Sequence, residues 1–174
     1  MDKVLCAFGF DNKVRKIISQ LVSTSSLAIL VNGAPSNFFK PSRGLRQGDP
    51  LSPILFIILA ECLGRLVEKS NQEGRLKGIK PSSKCDPFTH QQFVDDTIIG
   101  REALVREAKV MKDILNLYTR GWGQFINWEK SVIFFINTSE DRKNKIARIL
   151  GCEMGTFPSS YLGLPLGSKP LDSF

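Results

Sequence analysis

The chain has 174 residues, of which 42% are hydrophobic, so it can bury one core of the size found in a single domain. Lys and Arg number 24 against 17 Asp and Glu, which gives a formal net charge of +7 and a sequence pI near 9.4. This positive excess favours a polyanionic partner such as nucleic acid, and it is equally compatible with a soluble protein that has a basic surface.

Several classes of protein are disfavoured by composition. The 4 cysteines form no CxxC pair and His90 is the single histidine, so neither a zinc site nor a disulfide framework is predicted. The longest apolar run, residues 54–60, is far shorter than the ~20 residues that span a bilayer, and the N-terminus lacks a signal-peptide pattern. We therefore expect an intracellular protein, nuclear or cytoplasmic, that is neither secreted nor membrane-bound, while its oligomeric state stays undetermined.

The first part of the chain predicts a helix and then a hairpin. Residues 27–31 and 36–40 are predicted strands, and Asn32-Gly33 between them supplies the positive φ angles that a two-residue turn needs. Before them, a helix capped by Asn12 is indicated by apolar residues at helical spacing, namely Val14, Ile17, Ile18, Leu21 and Val22.

A loop and a long helix are predicted next. Residues 42–50 include two glycines, two arginines and an aspartate, which is typical of a loop. Ser52 and Pro53 suit the N-cap and the first position of a helix that runs to about Lys69. Because the first turns of this helix are apolar nearly all round, we expect it inside the domain.

The middle of the chain predicts short strands and a second long helix. Strands are indicated at residues 76–80, 88–94 and 97–99, so that Asp95-Asp96 falls at a hairpin turn. The helix is predicted to end at Gly121, and it is indicated by apolar residues at helical spacing, namely Leu104, Ala108, Met111, Leu115 and Tyr118.

The last part predicts a strand, a helix and a strand. Residues 132–136 are rich in β-forming residues, and Thr138 or Ser139 can cap a helix that ends near Leu150, with Gly151 just beyond it. A final strand is predicted at residues 161–166.

These elements predict an α+β fold rather than a doubly wound parallel sheet, because strands and helices alternate irregularly and at least one hairpin is present. No repeat, low-complexity tract or linker divides the sequence, so residues 1–174 are predicted to form one domain.

Two segments carry candidate chemistry. Asp95 and Asp96 are adjacent carboxylates at a strand end and can serve as hard oxygen ligands of Mg²⁺, although Asp-Asp is also common in ordinary turns. In residues 43–53, the glycines let the backbone approach a ligand, and Arg46 and Gln47 can bond a phosphate or a base edge. The alternative interpretation of this segment is a helix-entry loop with a capping aspartate.

The sequence resembles, over nearly its whole length, the reverse transcriptases of LINE-type, non-LTR retrotransposons, especially those of plants. Residues 31–39 together with Pro41-Ser42-Arg43-Gly44-Leu45-Arg46-Gln47-Gly48-Asp49-Pro50-Leu51-Ser52-Pro53 resemble motif B of that family, and Phe93-Val94-Asp95-Asp96 resembles motif C. Residues 123–131 resemble motif D, and Tyr161-Leu162-Gly163-Leu164-Pro165 resembles motif E, the primer grip.

The resemblance implies a polymerase palm, an antiparallel sheet with packed helices, that carries out RNA-directed DNA synthesis by two-metal nucleotidyl transfer. Its implied partners are an RNA template, a DNA primer and deoxynucleoside triphosphates, and its implied cofactor is Mg²⁺. Residue by residue, the resemblance gives metal-binding and catalytic roles to Asp95 and Asp96, and it gives contact with pyrophosphate to Lys130. It assigns template or nucleotide binding to Arg46, Gln47 and Gly48. It assigns primer binding to Tyr161, Leu162 and Gly163. As a residue type, a lone lysine at a strand start is otherwise simply solvated.

The sequence also departs from the family pattern. No segment before Phe8-Gly9-Phe10 resembles motif A, which supplies another metal-binding aspartate, and Asp2 has no apolar strand around it. Val94 stands where alanine is common, and Gln91-Gln92 stand where apolar residues are common. We therefore expect a partial palm, without the fingers and the motif A strand, that binds Mg²⁺ weakly and is inactive on its own.

Two other functions stay open. A repurposed or vestigial nucleic-acid-binding module would use the basic surface without catalysis. A group II intron maturase shares the palm motifs, although motifs B and E here are more similar to those of LINE polymerases.

Overall fold

The computed structural model describes residues 1–41, 44–80, 82, 84–94, 96–122 and 125–167. In these residues helices and short strands are mixed, which confirms the α+β class. The described elements are α1 (Asp2–Ala7), α2 (Asn12–Ser23), β1 (Leu30–Val31), β2 (Ala34–Pro35), α3 (Ser52–Gln72), β3 (His90–Phe93), β4 (Asp96–Ile99), α4 (Val105–Trp122), β5 (Val132–Ile133), α5 (Glu140–Leu150), β6 (Glu153–Met154), β7 (Ser159–Tyr161) and β8 (Leu164–Leu166).

The chain divides into two compact units. The first contains Met1–Leu66 and Asn116–Phe125, and the second contains Val67–Leu115 and Ile126–Phe174. The long helices α3 and α4 each contribute residues to both units. None of the described helices is both long and apolar enough to cross a membrane.

The first unit is built around a small apolar core. Leu5 of α1, Ile18 of α2 and Leu55 of α3 are buried together. Partly buried side chains pack around these three, namely Met1, Phe10, Val22, Leu45, Leu51 and Ile58. Burial of such side chains is the main favourable contribution to folding, so this cluster holds the three helices together.

Helix α2 is present as predicted, but its cap and its apolar face differ from the prediction. The N-cap is Asp11 rather than Asn12, because the extended Asp11 places its Oδ1 2.9 Å from the backbone nitrogen of Val14. On the predicted stripe Ile18 is buried, whereas Val14, Ile17 and Leu21 are 40–53% exposed. Helical spacing identified the helix, but burial reaches only part of the stripe.

The predicted hairpin around Asn32-Gly33 is confirmed, but β1 is shorter than expected and β2 lies before the predicted second strand at residues 36–40. Asn32 and Gly33 have φ angles of 51° and 82°, as a two-residue hairpin turn requires. Val31 pairs with Ala34, and an isolated bridge joins Leu27 to Phe39. From the first of these pairs to the second, the chain covers four residues on one strand, Val31 to Leu27, and five on the other, Ala34 to Phe39. The second strand therefore carries one extra residue after Ser36.

Helix α3 begins at Ser52 as predicted and continues to Gln72, beyond the expected end near Lys69. Its buried side chains recur at helical spacing along one face, namely Leu55, Leu59, Leu63, Val67 and Ser70. The outer side chains Ile54 and Ile57 are more than half exposed, so the expectation that the first turns are buried all round is wrong.

In the second unit, strands β3 and β4 form an antiparallel hairpin, and helix α4 follows. Residues 76–80 form only an isolated bridge, from Ile79 to Phe88, in place of the predicted strand. Helix α4 runs through Gly121 to Trp122, so Gly121 does not end it as expected.

The last third of the chain departs most from the predicted strands. Strand β5 is only Val132–Ile133, and it pairs in parallel with β6, which the sequence did not predict. Helix α5 ends as predicted, because Gly151 takes up the left-handed conformation and donates its N–H to the Ala147 carbonyl at 2.8 Å. The single strand predicted at residues 161–166 is instead the hairpin β7–β8.

Within the described ranges the strands form four separate two-stranded pairs, of which three are antiparallel and one is parallel. A continuous antiparallel palm sheet therefore stays a prediction.

Candidate active site

One of the two predicted metal-binding aspartates, Asp96, lies near the tip of the β3–β4 hairpin. It pairs with Phe93, so Asp96 is the first residue of β4 rather than part of the turn as expected, and Val94 lies in the turn. Asp95 lies outside the residues that the structure describes. Asp96 is exposed at the first position of β4, where its carboxylate is open to a ligand from solvent.

The backbone at this tip adopts a conformation that its residue type disfavours. Val94 has a φ of +52°, in the left-handed region that a β-branched side chain rarely adopts. Such conformations persist only where the surrounding structure enforces them, and they are concentrated at functional sites. The positive φ of Val94 therefore distinguishes this tip from an ordinary turn.

The motif E segment forms a second hairpin of the same kind. Tyr161 is the last residue of β7 and pairs with Leu164, and the turn residues Leu162 and Gly163 have φ angles of 52° and 78°. Leu162 is 44% exposed at the turn. The predicted primer-binding residues thus share one hairpin tip.

The motif C and motif E hairpins approach each other within the second unit. The Tyr161 hydroxyl lies 3.5 Å from the backbone carbonyl oxygen of Asp96, which is a long hydrogen bond. Burial raises the pKa of Tyr161 above its ordinary value, and the negative charge of Asp96 raises it further. The phenol can donate its O–H to the Asp96 carbonyl.

The motif B loop lies in the first unit and leads into α3. Arg46 donates to the Leu21 carbonyl at 3.3 Å and forms an ion pair with Asp49. The other Asp49 oxygen accepts the Leu51 N–H at 2.9 Å, one residue before α3 begins, so Asp49 organises the turn that leads into this helix. Ser42 and Arg43 lie outside the described residues.

An open cleft lies beside this loop. It has a volume of about 450 Å³ and is lined by Leu27, Arg46, Gln47, Gly48, Asp49 and Pro50. Gln47 and Gly48 are exposed there, and the φ of +80° at Gly48 suits a residue without a side chain. The cleft therefore presents an amide side chain and accessible backbone to an incoming ligand.

Lys130 of motif D lies in an exposed turn just before β5. The backbone N–H of Lys130 donates to both the carbonyl and the Oδ1 of Asn127, at 3.2 and 3.1 Å. The hydroxyl of Ser131 donates to the same carbonyl at 2.8 Å. Asn127 thus organises the turn that carries Lys130. Gly123 and Gln124, the start of motif D, lie outside the described residues.

A residue that the sequence did not single out ties this turn to two helices. The ammonium of Lys112 on α4 lies 3.3 Å from the centre of the Trp128 ring, and it donates to the Leu150 carbonyl at the end of α5. Lys112 is also close enough to Cys152 to oppose the rise in its pKa that burial causes. Only tertiary packing identifies this lysine, because the helical pattern of α4 gives no signal for it.

Asp96 has the donor chemistry of a Mg²⁺ ligand, because its oxygens are hard donors in an open position. In the part of the chain that the structure describes, no three His, Cys, Asp or Glu side chains are grouped so that they could hold a metal ion. The described residues therefore supply one fitting ligand rather than a complete set.

The sequence is similar to known proteins. The sequence profile of the family described as "Reverse transcriptase (RNA-dependent DNA polymerase)" matches residues 1–166. An uncharacterized mitochondrial protein of Arabidopsis thaliana is 48% identical over 75 residues, which cover 43% of this chain and 62% of that protein. The retrovirus-related Pol polyprotein from the type-1 retrotransposable element R2 of Popillia japonica is 29% identical over 130 residues, which cover 74% of this chain and 20% of the polyprotein.

The chain thus spans less than two thirds of the first relative and about one fifth of the second. The family profile nevertheless covers nearly all of its residues and all four motif segments. The chain belongs to the reverse transcriptase (RNA-dependent DNA polymerase) family and is a homologue of the Pol protein of a non-LTR retrotransposon.

Proposed function

We propose that this chain is the catalytic-hairpin region of an RNA-directed DNA polymerase of a non-LTR retroelement, which extends a DNA primer along an RNA template. The observation that carries this proposal is the exposed Asp96 at the end of a hairpin whose turn residue Val94 has a positive φ, in a chain matched by the family profile over residues 1–166. A turn of purely structural origin gives no reason for a β-branched residue in that conformation.

In this proposal Asp95 and Asp96 hold Mg²⁺, which when bound supplies activation of the primer 3′-hydroxyl and neutralises charge on the triphosphate. Asp96 contributes an open carboxylate from a strand that is anchored by pairing with β3. Tyr161 positions the backbone of Asp96 by donating to its carbonyl, and Leu162 and Gly163 present the exposed hairpin tip to the primer.

The other assigned residues lie on loops fixed by hydrogen bonds. Gln47 and Gly48 face the motif B cleft and receive the nucleotide or the template. Lys130 is held by Asn127 in an exposed turn, from which its ammonium can neutralise or protonate the departing pyrophosphate.

We further infer that a polypeptide of only these 174 residues does not extend a primer. The resemblance assigns two metal-binding aspartates within this sequence, and Mg²⁺ gains much of its affinity from the number and charge of its ligands. A longer polypeptide that carries a motif A aspartate would complete the set.

Primer extension tests both statements. The 174-residue chain, given Mg²⁺, a primed RNA template and deoxynucleotides, should give no extended primer. If the upstream coding sequence contains an in-frame motif A, a polypeptide that includes it should extend the primer, and Asp95→Asn or Asp96→Asn should abolish extension. Extension by the 174-residue chain that is lost in Asp95→Asn would overturn the inference of inactivity. A longer polypeptide that is folded and inactive would overturn the polymerase proposal.

The net charge of +7 favours one second candidate, a nucleic-acid-binding module without catalysis. Binding by such a module should be largely independent of sequence and should weaken steeply with salt, because the basic side chains displace counterions from the phosphates. Anisotropy titrations between low and physiological salt measure this. Affinity that stays unchanged over that range would count against an electrostatic binding mode.

A further inference from the structure

One nitrogen of the Arg46 guanidinium is engaged twice within the protein. Nη2 donates to the Leu21 carbonyl at 3.3 Å, near the end of α2, and the same nitrogen pairs with Asp49 Oδ2. The Arg46 side chain is 37% exposed and that of Asp49 is 21% exposed, so the pair is partly shielded from water. This nitrogen is therefore occupied, and the negative charge of Asp49 offsets the positive charge that a phosphate would meet.

Asp49 continues the connection into the next helix. While its Oδ2 meets Arg46, its Oδ1 accepts the Leu51 N–H at 2.9 Å, and its carbonyl accepts the Ser52 N–H at 3.1 Å. The loop is thereby fixed to the end of α2 on one side and to the start of α3 on the other. Between these two fixed points lie the exposed residues Gln47 and Gly48.

We propose that Arg46 and Asp49 are positioning residues that form a brace across the motif B loop, and that Arg46 does not itself contact the template or nucleotide. The part that concerns the ligand rests on the polymerase function proposed above, whereas the brace itself does not. The brace predicts that Arg46 and Asp49 act as one unit, and that the charge of Arg46 is already neutralised when nucleic acid binds.

A double-mutant cycle in the 174-residue chain tests the brace. Arg46→Met removes the guanidinium, and Asp49→Asn keeps an oxygen that can cap Leu51 while removing the charge. Each single variant should lower the melting temperature by about 2–4 °C, and the double variant should lose much less than the two together. Hydrogen exchange at the Leu51 amide should accelerate in Arg46→Met, because Asp49 then loses its second anchor.

A matched control pair lies on α5, where Lys145 and Asp141 are 2.8 Å apart and more than half exposed. Lys145→Met and Asp141→Asn should each change the melting temperature little and should show weak coupling. If Arg46 and Asp49 behave like this control pair, with additive effects and unchanged exchange at Leu51, the brace is refuted.

Binding to a fluorescein-labelled DNA primer annealed to an RNA template separates positioning from contact. Measured by anisotropy well below the melting temperature of each variant, Arg46→Met should weaken binding several-fold without changing the slope of log affinity against log salt. If Arg46 contacts a phosphate, removing it should reduce the magnitude of that slope by about one unit. This result would show that Arg46 binds the ligand itself. Gln47→Ala should weaken binding in the parent and should have little further effect in the Arg46→Met background.

The two hypotheses fail separately in this design. A parent chain that does not bind the primer–template duplex contradicts the proposed function of the loop, while the thermal cycle and the exchange rates still decide whether the brace exists. A parent that binds, together with Arg46→Lys restoring both affinity and exchange protection in full, would show that positive charge alone is required and would overturn the proposed geometry.

Discussion

The hairpins β1–β2 and β3–β4 both close through two-residue turns, yet the residues at the two turns are of opposite kinds. Asn32 and Gly33 adopt positive φ angles at low cost, and they are the residues that turn chemistry selects. Val94 has nearly the same φ, 52° against 51° for Asn32, with a β-branched side chain that disfavours it. The first turn is explained by its own residues, whereas the residue type at the second gives no reason for its conformation.

The largest effect is expected at Gly78, near the base of the second hairpin, and it tests whether this hairpin is more constrained than the first. Gly78 precedes the bridge between Ile79 and Phe88, and a Cβ at position 78 would lie 2.7 Å from the Phe88 carbonyl oxygen. Gly78→Ala should therefore lower the free energy of unfolding by about 1–3 kcal/mol, because backbone atoms must shift.

The control for that variant is Gly33→Ala in the first hairpin, where a Cβ would meet nothing within 4 Å and only the positive φ opposes it. Gly33→Ala should lower the free energy of unfolding by about 1 kcal/mol. Urea denaturation measures both. Equal losses in the two variants would mean that the base of the second hairpin is no more constrained than the first.

A reciprocal exchange of turn residues should have the next largest effect. Asn32→Val places a β-branched residue at positive φ and should lower the free energy of unfolding by about 1–2 kcal/mol. Val94→Asn removes the same conflict and should raise stability by up to about 1 kcal/mol. If Val94→Asn is destabilising in urea denaturation, packing of the valine side chain rather than strain dominates at the tip.

The same contrast explains how much could be predicted from sequence. Turn and capping chemistry located the Asn32-Gly33 hairpin and the end of α5 at Gly151, because those residues have strong intrinsic preferences. The hairpin at Leu162-Gly163 was predicted as one strand, since an aliphatic residue at positive φ gives no local signal. The contacts of Asp49 before α3 depend on a side-chain geometry that the sequence does not fix.

The parallel pairing of β5 with β6 and the contacts of Lys112 could not be predicted, because both join segments that are distant in sequence. Tertiary packing overrides local preference at such places. The resemblance to reverse transcriptases was nevertheless found from residue identity, and it is confirmed by the family match.

The aspartates at the tip of the second hairpin should contribute little to stability. Replacing Asp95 and Asp96 together with Asn removes repulsion between adjacent like charges and keeps residues that suit a turn, so stability should stay within about 0.5 kcal/mol or rise slightly. Melting with and without millimolar Mg²⁺ measures this. A large stabilisation of the parent by Mg²⁺, absent from the double variant, would show that the 174-residue chain holds a competent metal site.

The smallest effect concerns Tyr161, whose contact with Asp96 joins the tips of the two hairpins of the second unit. Its pKa is raised first by burial and second by the Asp96 charge, above an ordinary value near 10. The stability that this shift contributes is fully present below the pKa of the unfolded state and is lost as pH rises through the higher folded pKa.

The chain has 2 tyrosines, so a Tyr118→Phe variant lets ultraviolet titration report Tyr161 alone. We expect its midpoint above the ordinary tyrosine value, and in an added Asp96→Asn change we expect a partial return toward it, because burial remains. A midpoint at the ordinary value in the folded protein would mean that Tyr161 is freely solvated, and the proposed link between the motif E hairpin and the motif C hairpin would then be withdrawn.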